Sequence, residues 1–419
     1  MKKQQYLQSE KYSRLIFIAC FAAYSASYIG RINFSAALPA IIADGFFTKT
    51  QAGIIGSAFF IVYGAFQIIN GFLGDKISPF KMIITGTFLS AVANVLMTFC
   101  TTNIQMAIVW GFNGFALSLL WASILKILAN IINDGMRAKA CLNISVTLPI
   151  GTILAYLFAS FSIKFFNWRF VFYIPAIILF VVCAFFTISS LMVKPHITER
   201  EIVTESIPQK KKAKGGLLPL LLMAGIFIVL PADAIHGAIK EGITTWVPTM
   251  ITEVYSTAPS FSVFLSIMLP IFNITGVYII TPIYNKIFKK DELKTGAGIL
   301  LFALIPLSML IFMEKLPVVV SVALLAIITT SLHSFNYMII TLVPMSVKSA
   351  KTDSLATVDF KKVYKALIYL ARKDHLNDLG SFLIGYAKSV QKHGFLTDFF
   401  KHIGNFRSAT VNKHYLYSD

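Results

Sequence analysis

Long apolar segments recur along the first 345 residues of the chain, separated by short polar stretches. Each reaches about 18 residues or more, the length that a helix needs to cross the hydrocarbon core of a bilayer. The pattern predicts ten membrane-spanning helices, with a polar linker between the sixth and the seventh. The predicted spans are residues 15–40, 52–74, 82–101, 106–132, 141–163, 169–193, 217–250, 260–284, 295–313 and 317–345.

The composition agrees with a protein that crosses the membrane many times. Hydrophobic residues make up 56% of the chain and charged residues only 13%, whereas a soluble domain carries about a quarter charged residues. This excludes a soluble enzyme, a nucleic-acid binder and a secreted scaffold. The four cysteines lie within or at the ends of apolar segments without paired spacing, so we predict no disulfide, no metal site and no cofactor.

The distribution of basic residues predicts the orientation in the membrane. With a cytoplasmic N-terminus, the cytoplasmic segments hold 18 Lys and Arg and the opposite loops hold four. Cytoplasmic loops of membrane proteins are enriched in these residues, which also accounts for the net charge of +18 without a nucleic-acid partner. The polar segment 1–14 runs directly into a long span, so we expect no cleavable signal peptide. We predict a multi-pass protein of the cell (inner) membrane.

The two halves of the apolar region are related to each other. Arg31 and Lys240 stand 209 residues apart, and each is followed eight residues later by a proline. The Asp75–Lys76 pair after the second span has a counterpart in Asn285–Lys286, 210 residues further on. A shared offset predicts a parallel repeat of six helices, which places a substrate between the halves near the middle of the bilayer.

Three basic residues, Arg31, Lys126 and Lys240, lie inside apolar spans. Each costs about 2.5–3.5 kcal/mol at a helix centre, unless it extends to the headgroups or pairs with a buried carboxylate. The acidic residues in the spans are Asp233 and Glu241, which are near Lys240 in sequence. Three cations and two carboxylates leave a positive surplus, which predicts an anionic substrate.

Further polar and aromatic side chains within the spans are candidates to line a cavity, although any one such residue is more often a helix-packing contact than a ligand contact. His236 lies one helical turn before Lys240 and shares its face. The candidates are Tyr28, Asn33, Asn113, Trp121, Thr147, His236, Trp246, His333, Asn336 and Tyr337.

Three motifs resemble a known family. The loop Gly71-Phe-Leu-Gly-Asp75-Lys76-Ile-Ser-Pro-Phe-Lys81 resembles the signature loop of the major facilitator superfamily. Tyr28-Ile-Gly-Arg31-Ile-Asn33-Phe, with Pro39, resembles the first-helix motif of the organophosphate:phosphate antiporters. Lys240-Glu-Gly-Ile-Thr-Thr-Trp246-Val-Pro-Thr resembles the seventh-helix motif of that family. Trp121 with Lys126 also matches its fourth-helix pair.

The resemblance implies roles for particular residues. Arg31 and Lys240, one from each half, would grip a phosphate, and Asp75 would help to hold the outward-facing state in a gate formed with Gly71, Lys76 and Lys81. The chain departs from the family pattern where Lys240 replaces an arginine, Thr245 an acidic residue, and Val146 or Thr147 a histidine. These departures leave an anionic substrate in place and weaken an assignment to glycerol phosphate or hexose phosphate.

The expected protein is an all-α membrane protein of two six-helix repeats that acts as a secondary transporter. It would move a small phosphorylated or carboxylated anion by alternating access, with inorganic phosphate as a counter-substrate or with a coupled ion. The resemblance also leaves open a membrane receptor for a sugar phosphate that does not transport. The sequence contains no nucleotide-binding loop of the type that drives pumps. We expect a monomer in the lipid bilayer that is not an enzyme.

The tail departs from the repeat. The predicted divisions are an N-terminal six-helix bundle (1–193), a cytoplasmic basic linker (194–216), an incomplete four-helix bundle (217–345) and a basic amphipathic tail (346–419). The offset predicts further spans near 351–373 and 378–403, but no apolar stretch of 18 residues occurs there. Either a frame change or truncation replaced the last two spans, which would impair transport, or the tail is an appended domain.

Overall fold

A computed structural model describes residues 3–73, 76–201, 226–289, 291–312 and 316–338. The described chain is almost entirely helical, as the apolar pattern predicts. Its helices are α1 (Glu10–Ala43), α2 (Lys49–Leu73), α3 (Pro79–Phe99), α4 (Asn103–Ser118), α5 (Leu120–Asn130), α6 (Asp134–Asn143), α7 (Thr147–Phe165), α8 (Phe170–Val193), α9 (Ile226–Tyr255), α10 (Pro259–Leu265), α11 (Met268–Pro282), α12 (Glu292–Phe312) and α13 (Val318–Tyr337). Short 3-10 turns cover Ile144–Val146 and Lys194–His196, and a π-helical turn covers Ile283–Ile287.

Nine helical runs within the described residues are long and apolar enough to cross a membrane. They correspond to nine of the ten predicted spans. The remaining span, the seventh, forms helix α9, which is 30 residues long and therefore about 45 Å in length. Its middle carries His236, Lys240 and Glu241.

Several spans are divided, which the apolar pattern did not predict. The fourth span breaks at Leu119 between α4 and α5, and the fifth begins earlier than predicted, with α6. The eighth consists of α10 and α11. Parts of the predicted spans and linker, 202–225 and 339–345, lie outside the described residues, as does the whole tail 346–419.

A two-stranded sheet near the N-terminus is absent from the sequence-based expectation. Strand β1 (Lys3–Leu7) pairs antiparallel with strand β2 (Ile197–Glu201), with Tyr6 opposite Thr198. The Leu7 side chain is fully buried, and its N–H donates to the carbonyl of Ile131 at 2.8 Å. The start of the predicted linker is therefore attached to the N-terminal half.

Local sequence determines where several helices begin and end. Helix α1 ends in a Schellman motif, in which Gly45 has φ +68° and the N–H of Phe46 donates to the carbonyl of Ile41. Helix α4 begins with a capping box between Thr102 and Gln105. Both motifs satisfy backbone groups that a helix end otherwise leaves without partners.

The packing of helices repeats between the halves. In the N-terminal half α2 packs against α4, and in the C-terminal half α11 packs against α13. Both pairs join the second span of a half to its fourth, as a parallel repeat requires. The N-terminal half also joins α1 to α7 and α8, and α3 to α8. Their counterparts would involve the eleventh and twelfth spans of the repeat, which fall outside the described residues.

Helix α7 approaches α1 closely at Gly151. A Cβ atom at this position would lie 2.5 Å from the Ser25 carbonyl oxygen and 2.6 Å from Cβ of Tyr28. We therefore expect Gly151→Ala to force the two helices apart, lowering the free energy of unfolding by about 1–3 kcal/mol. The melting temperature of the purified protein in detergent measures this loss.

Gly64 provides the matched control for Gly151. It is exposed on α2, and among the described residues no atom lies within 4 Å of the position its Cβ would take. We expect Gly64→Ala to be neutral or slightly stabilising because alanine favours the helix. Equal melting temperatures for the two variants would contradict the close approach.

Candidate functional site

Arg31 lies near the middle of α1 and is surrounded by aromatic rings. Its guanidinium carbon is 5.3–5.5 Å from the ring centres of Tyr28, Phe59, Phe60 and Tyr63. Phe59 and Tyr63 are one turn apart on α2 and present their rings on one face. Aromatic faces attract a cation at these distances, and more strongly where water is excluded. The rings therefore help to hold the Arg31 side chain, which is only 12% exposed.

Glu241 on α9 joins the two predicted basic residues. Its Oε2 atom lies 3.1 Å from Nη2 of Arg31, and its Oε1 atom lies 3.3 Å from Nζ of Lys240. The Lys240 side chain is 19% exposed and that of Glu241 26%. The repeat therefore brings Arg31 and Lys240 to one carboxylate at the boundary between the two halves. The pairing of Lys240 with a neighbouring carboxylate, considered from sequence alone, is confirmed for Glu241.

A cavity of about 1070 Å³, including its mouth, adjoins this cluster of charges and is lined by both halves. The N-terminal half contributes Tyr24, Tyr28, Arg31, Phe60, Tyr63, Trp121, Ser145 and Leu148, and the C-terminal half contributes Lys240, Glu241, His333 and Asn336. A second cavity of about 530 Å³ shares Tyr28, Leu148, Lys240, Glu241 and His333 with the first. The two cavities adjoin each other in the space between the halves.

The charges that line this space leave a small positive surplus. Arg31 and Lys240 are positive and Glu241 is negative, and the other described lining residues are neutral when His333 is counted as neutral. The surplus is therefore one charge. An anion that enters can receive hydrogen bonds from the fork of Arg31 and from the ammonium group of Lys240.

Four further predicted site residues fall on two sides of the cavity. Tyr28 and Trp121 line it from the N-terminal half, where Trp121 stacks on Tyr24 with ring centres 4.9 Å apart. His333 and Asn336 line it from α13. The side chain of Tyr337, the neighbour of Asn336, lies outside the described residues.

Asn33 does not line the cavity, and its expected place there is corrected. It is completely buried within the N-terminal half, where its Nδ2 atom donates to Asn94 Oδ1 at 2.7 Å and to the Val171 carbonyl at 3.3 Å. Asn94 in turn donates to the carbonyl of Gly30, beside Arg31. Asn113 donates to the same carbonyl. These amides fix the backbone next to Arg31 rather than contact a ligand.

Three other predicted residues also lie away from the two cavities. His236 is buried with its Nε2 atom 3.0 Å from the Leu332 carbonyl, so it joins α9 to α13. Trp246 packs against the core of the N-terminal half. Lys126 is half-buried and lines neither cavity. The surplus that the sequence assigned to three cations therefore rests on two.

The signature loop lies apart from the cavity. Gly71, Lys76 and Lys81 are exposed. Asp75, and with it the centre of the predicted gate, lies outside the described residues. The gating role of this loop stays a prediction.

Four ionisable lining residues were not singled out from the sequence as site residues, namely Tyr24, Tyr63, Tyr156 and Glu241. The spacing of Phe59, Phe60 and Tyr63 along α2 is ordinary for a membrane helix and gives no specific signal. Glu241 did give a sequence signal, because burying an acidic and a basic residue side by side within a span is costly unless both have a function.

Polar contacts between the halves lie on one side of the cavity, near the loops 44–48 and 256–258. They connect Ser35 Oγ to the Thr245 carbonyl (2.7 Å), Tyr156 OH to the Thr244 carbonyl (3.3 Å), Ser160 Oγ to the Ser260 carbonyl (2.9 Å) and Lys49 Nζ to Glu253 Oε2 (2.7 Å). These contacts hold the halves together at that end.

Comparison with protein families agrees with the helical fold and its two related halves. The model of the Major Facilitator Superfamily matches residues 20–358. The chain belongs to the major facilitator superfamily. The match covers both halves and ends within the first part of the tail. The fold predicted from the sequence is confirmed, and the chain is a multi-pass membrane protein of a transporter family.

The relatives of this major facilitator protein include carriers of phosphorylated compounds. A glycerol-3-phosphate transporter of Bacillus subtilis is 26% identical over 329 residues, which is 72% of this chain and 71% of the relative. A probable hexose phosphate transport protein of Chlamydia muridarum is 30% identical over 177 residues, 42% of this chain and 38% of the relative. The membrane sensor protein UhpC of Salmonella typhimurium is 30% identical over 102 residues, 24% of this chain and 23% of the sensor. The resemblance to organophosphate:phosphate antiporters is confirmed.

Solved structures show the same fold at low sequence identity. A bacterial homolog of the human lysosomal transporter Spinster, in an inward-facing conformation, matches with a TM-score of 0.60 and 14% identity, over 78% of this chain and 74% of that chain. A peptide transporter in complex with sulfate matches with a TM-score of 0.59 and 14% identity, over 79% and 81%. At this identity the likeness concerns the fold alone.

Proposed function

We propose that the chain is a secondary transporter of a small organic anion, phosphorylated or carboxylated, that works by alternating access. The observation that carries the proposal is the meeting of Arg31 and Lys240, one from each half, at one cavity with a surplus of one positive charge. The functions of the relatives favour a sugar phosphate or glycerol phosphate. Transport would occur by exchange with inorganic phosphate as the counter-substrate, or alternatively by symport with a coupled ion.

Binding would use the cations as a clamp, a name we give to Arg31 and Lys240 together. Arg31 offers two parallel hydrogen bonds that suit the oxygens of a phosphate or carboxylate, and Lys240 adds a point charge. The aromatic residues Tyr28, Tyr63 and Trp121 would then face the organic part of the substrate. Because the clamp residues come from different halves, their shared ligand couples binding to the movement of one half against the other.

The contacts between the halves support an assignment of the conformation. The excess of Lys and Arg on one side favours a cytoplasmic N-terminus. The loops 44–48 and 256–258 would then be external. In that orientation the contacts of Ser35 and Lys49 with α9 close the external end, and the cavity would be reached from the cytoplasm.

Counterflow in proteoliposomes tests the proposal. Vesicles that contain the purified full chain are loaded with one unlabelled anion and diluted into radiolabelled inorganic phosphate. The internal panel covers glycerol phosphate, hexose phosphates, phosphate and sugar acids. Transient accumulation of label with at least one internal anion, absent from vesicles without protein, supports transport. No accumulation with any member of the panel, in either direction, contradicts it.

A membrane sensor of a sugar phosphate is the second candidate, favoured by the match to UhpC. A sensor would bind the anion through the same clamp without moving it. Titration calorimetry of the purified chain with the same panel separates the two. Saturable binding together with absent counterflow supports the sensor, whereas binding with counterflow supports the transporter.

The tail is proposed to stay on the cytoplasmic side, because ten spans return the chain to the side of its N-terminus. We expect cysteines placed at Ser389 and Ser408 to react with a membrane-impermeant maleimide only after the cell membrane is opened. The half-buried Cys141 is first replaced by serine to remove background labelling. Thr101→Cys, in an exposed loop of the opposite side, is the external control.

Labelling of Ser389→Cys or Ser408→Cys in intact cells would contradict the cytoplasmic tail. Protection of cysteines within 351–373 from the label even after the membrane is opened would favour a twelve-helix topology. If the tail contains neither the eleventh nor the twelfth span of the repeat, we also expect transport to be slow. In a six-plus-six repeat, the counterparts of the contacts that α7 and α8 make with α1 would then be missing from the C-terminal half. Each interhelical hydrogen bond lost in this way is worth about 1–2 kcal/mol at most.

A further inference from the structure

Glu241 binds the clamp with both of its oxygen atoms. One oxygen contacts Arg31 of the N-terminal half at 3.1 Å, and the other contacts Lys240 of its own helix at 3.3 Å. A carboxylate or phosphate substrate would present two oxygens to the same two cations. The chain therefore carries an anion of its own at the point where its proposed substrate would bind.

The surroundings of Arg31 make this contact important. Four aromatic rings enclose its guanidinium, and its buried Nε atom has no hydrogen-bond partner among the described residues. Rings attract the charge but accept no strong hydrogen bond. Glu241 is thus the carboxylate that offsets the charge of Arg31 within the described part of the site.

The charge of the clamp governs which conformational changes are allowed. Two cations held together in a partly desolvated cavity repel each other, and more strongly than they would in water. If a substrate anion alone offset this repulsion, the halves would close around the site only when loaded, and transport would be restricted to exchange. A carboxylate from the chain offsets the repulsion at all times.

We propose that Glu241 allows the carrier to change conformation without a bound anion, so that the protein catalyses net transport of its substrate in addition to exchange. This inference rests on the proposed transport function and specifies its mode. In the unloaded carrier Glu241 bridges Arg31 and Lys240. When the substrate binds, its oxygens take over part of these contacts.

The position of the contact suits this role. Rocking of the halves breaks contacts at the closed end, such as those of Ser35 and Lys49 with α9, and changes contacts near the pivot least. The contact between Arg31 and Glu241 lies beside the central cavity rather than at that end. The other titratable groups that face the cavity are Tyr24, Tyr28, Tyr63, Tyr156, His333 and Lys240. Glu241 is the one carboxylate among the described residues that line the two cavities.

The test compares net efflux with exchange in the same proteoliposomes. Vesicles with the full chain are loaded with radiolabelled glycerol 3-phosphate or inorganic phosphate. They are diluted into buffer that contains no anion of the panel (net efflux) or the unlabelled anion in excess (exchange). Potassium and valinomycin on both sides prevent a membrane potential from building up. The measured quantity is the ratio of the two initial rates.

We expect the wild-type ratio to lie above about one tenth, and Glu241→Gln to lower it at least tenfold because the amide lacks the charge. Glu241→Asp keeps the charge and is expected to preserve most of the ratio. Glu10→Gln is the control, since Glu10 also pairs with a basic residue, Arg14 at 2.7 Å, but does so within α1 and lines neither cavity. Its ratio should stay at the wild-type value.

Three results would overturn the inference. The first is wild-type efflux that requires an external anion, which leaves the proposed function intact as obligatory exchange. The second is an unchanged ratio in Glu241→Gln. The third is loss of efflux and exchange alike in both Glu241→Gln and Glu241→Asp, which makes Glu241 a structural residue. Wild-type protein with neither efflux nor exchange would instead contradict the proposed function itself.

Discussion

Arg31→Ala should reduce anion affinity about 30-fold or more, the largest loss expected of any single substitution in this protein. The change removes the bidentate donor and also the surplus charge, because Glu241 would then balance Lys240 alone. Truncating one member of a buried, hydrogen-bonded charge pair costs about 2–5 kcal/mol of binding free energy. Titration of the purified chain with inorganic phosphate and glycerol 3-phosphate measures the loss.

Arg31→Lys separates the two contributions. Lysine keeps the charge but loses the planar fork, so the binding free energy should weaken by about 1–3 kcal/mol, a smaller loss than in Arg31→Ala. Arg169→Lys is a matched control, because Arg169 also stacks on an aromatic ring, that of Trp168 at 4.4 Å, but does not line the cavity. Wild-type affinity in Arg31→Lys for every anion of the panel would remove Arg31 from the clamp.

Lys240→Ala should produce the second largest loss, again about 2–5 kcal/mol of binding free energy. The substitution leaves Arg31 paired with Glu241, and the cavity then has no surplus charge. Lys240→Arg should be tolerated within about threefold, because a guanidinium also supplies the positive charge, and arginine is the residue of the resembling family motif at this position. Anion titration of both variants gives the comparison.

Lys49→Ala is the matched control for Lys240→Ala. Lys49, on α2, pairs with Glu253, which lies on α9, the helix that carries Lys240. Lys49 is exposed and lies at the closed end. An exposed ion pair contributes about 0–1 kcal/mol, and its loss should leave anion affinity unchanged. If Lys240→Arg and Lys240→Ala lose affinity equally, Lys240 serves the structure through its contact with Glu241 and not the substrate.

Much of the fold could be predicted from the sequence, because the signals are local. Apolar runs of membrane-spanning length predicted the nine spans that the described helices confirm, and the shared offset between Arg31 and Lys240 predicted the repeat. The breaks at Leu119 and between α10 and α11 were not predicted, because apolar residues continue across both. Pairing of β1 with β2 joins segments about 190 residues apart, and neither strand is marked by its own sequence.

The candidate site was only partly predictable. A basic residue inside an apolar span is costly, so the sequence alone marks Arg31 and Lys240 on physical grounds. Asn33 belongs to the same motif as Arg31, yet its side chain points away from the cavity, toward Asn94 in the interior of the N-terminal half. Sequence spacing gives the residue but not the direction of its side chain when both sides of a helix are buried.

The sequence by itself determined that the chain crosses a membrane many times, is built from a repeat, and carries buried cations that favour an anionic ligand. These conclusions follow from hydropathy and from the cost of burying charge, which depend on residue type and spacing. The tertiary structure decided which charges meet. Arg31 and Glu241 are 210 positions apart, and their 3.1 Å contact exists because the two halves pack face to face. In that packing the cavity has a surplus of one positive charge, Lys126 does not line it, and Glu241 lies between Arg31 and Lys240.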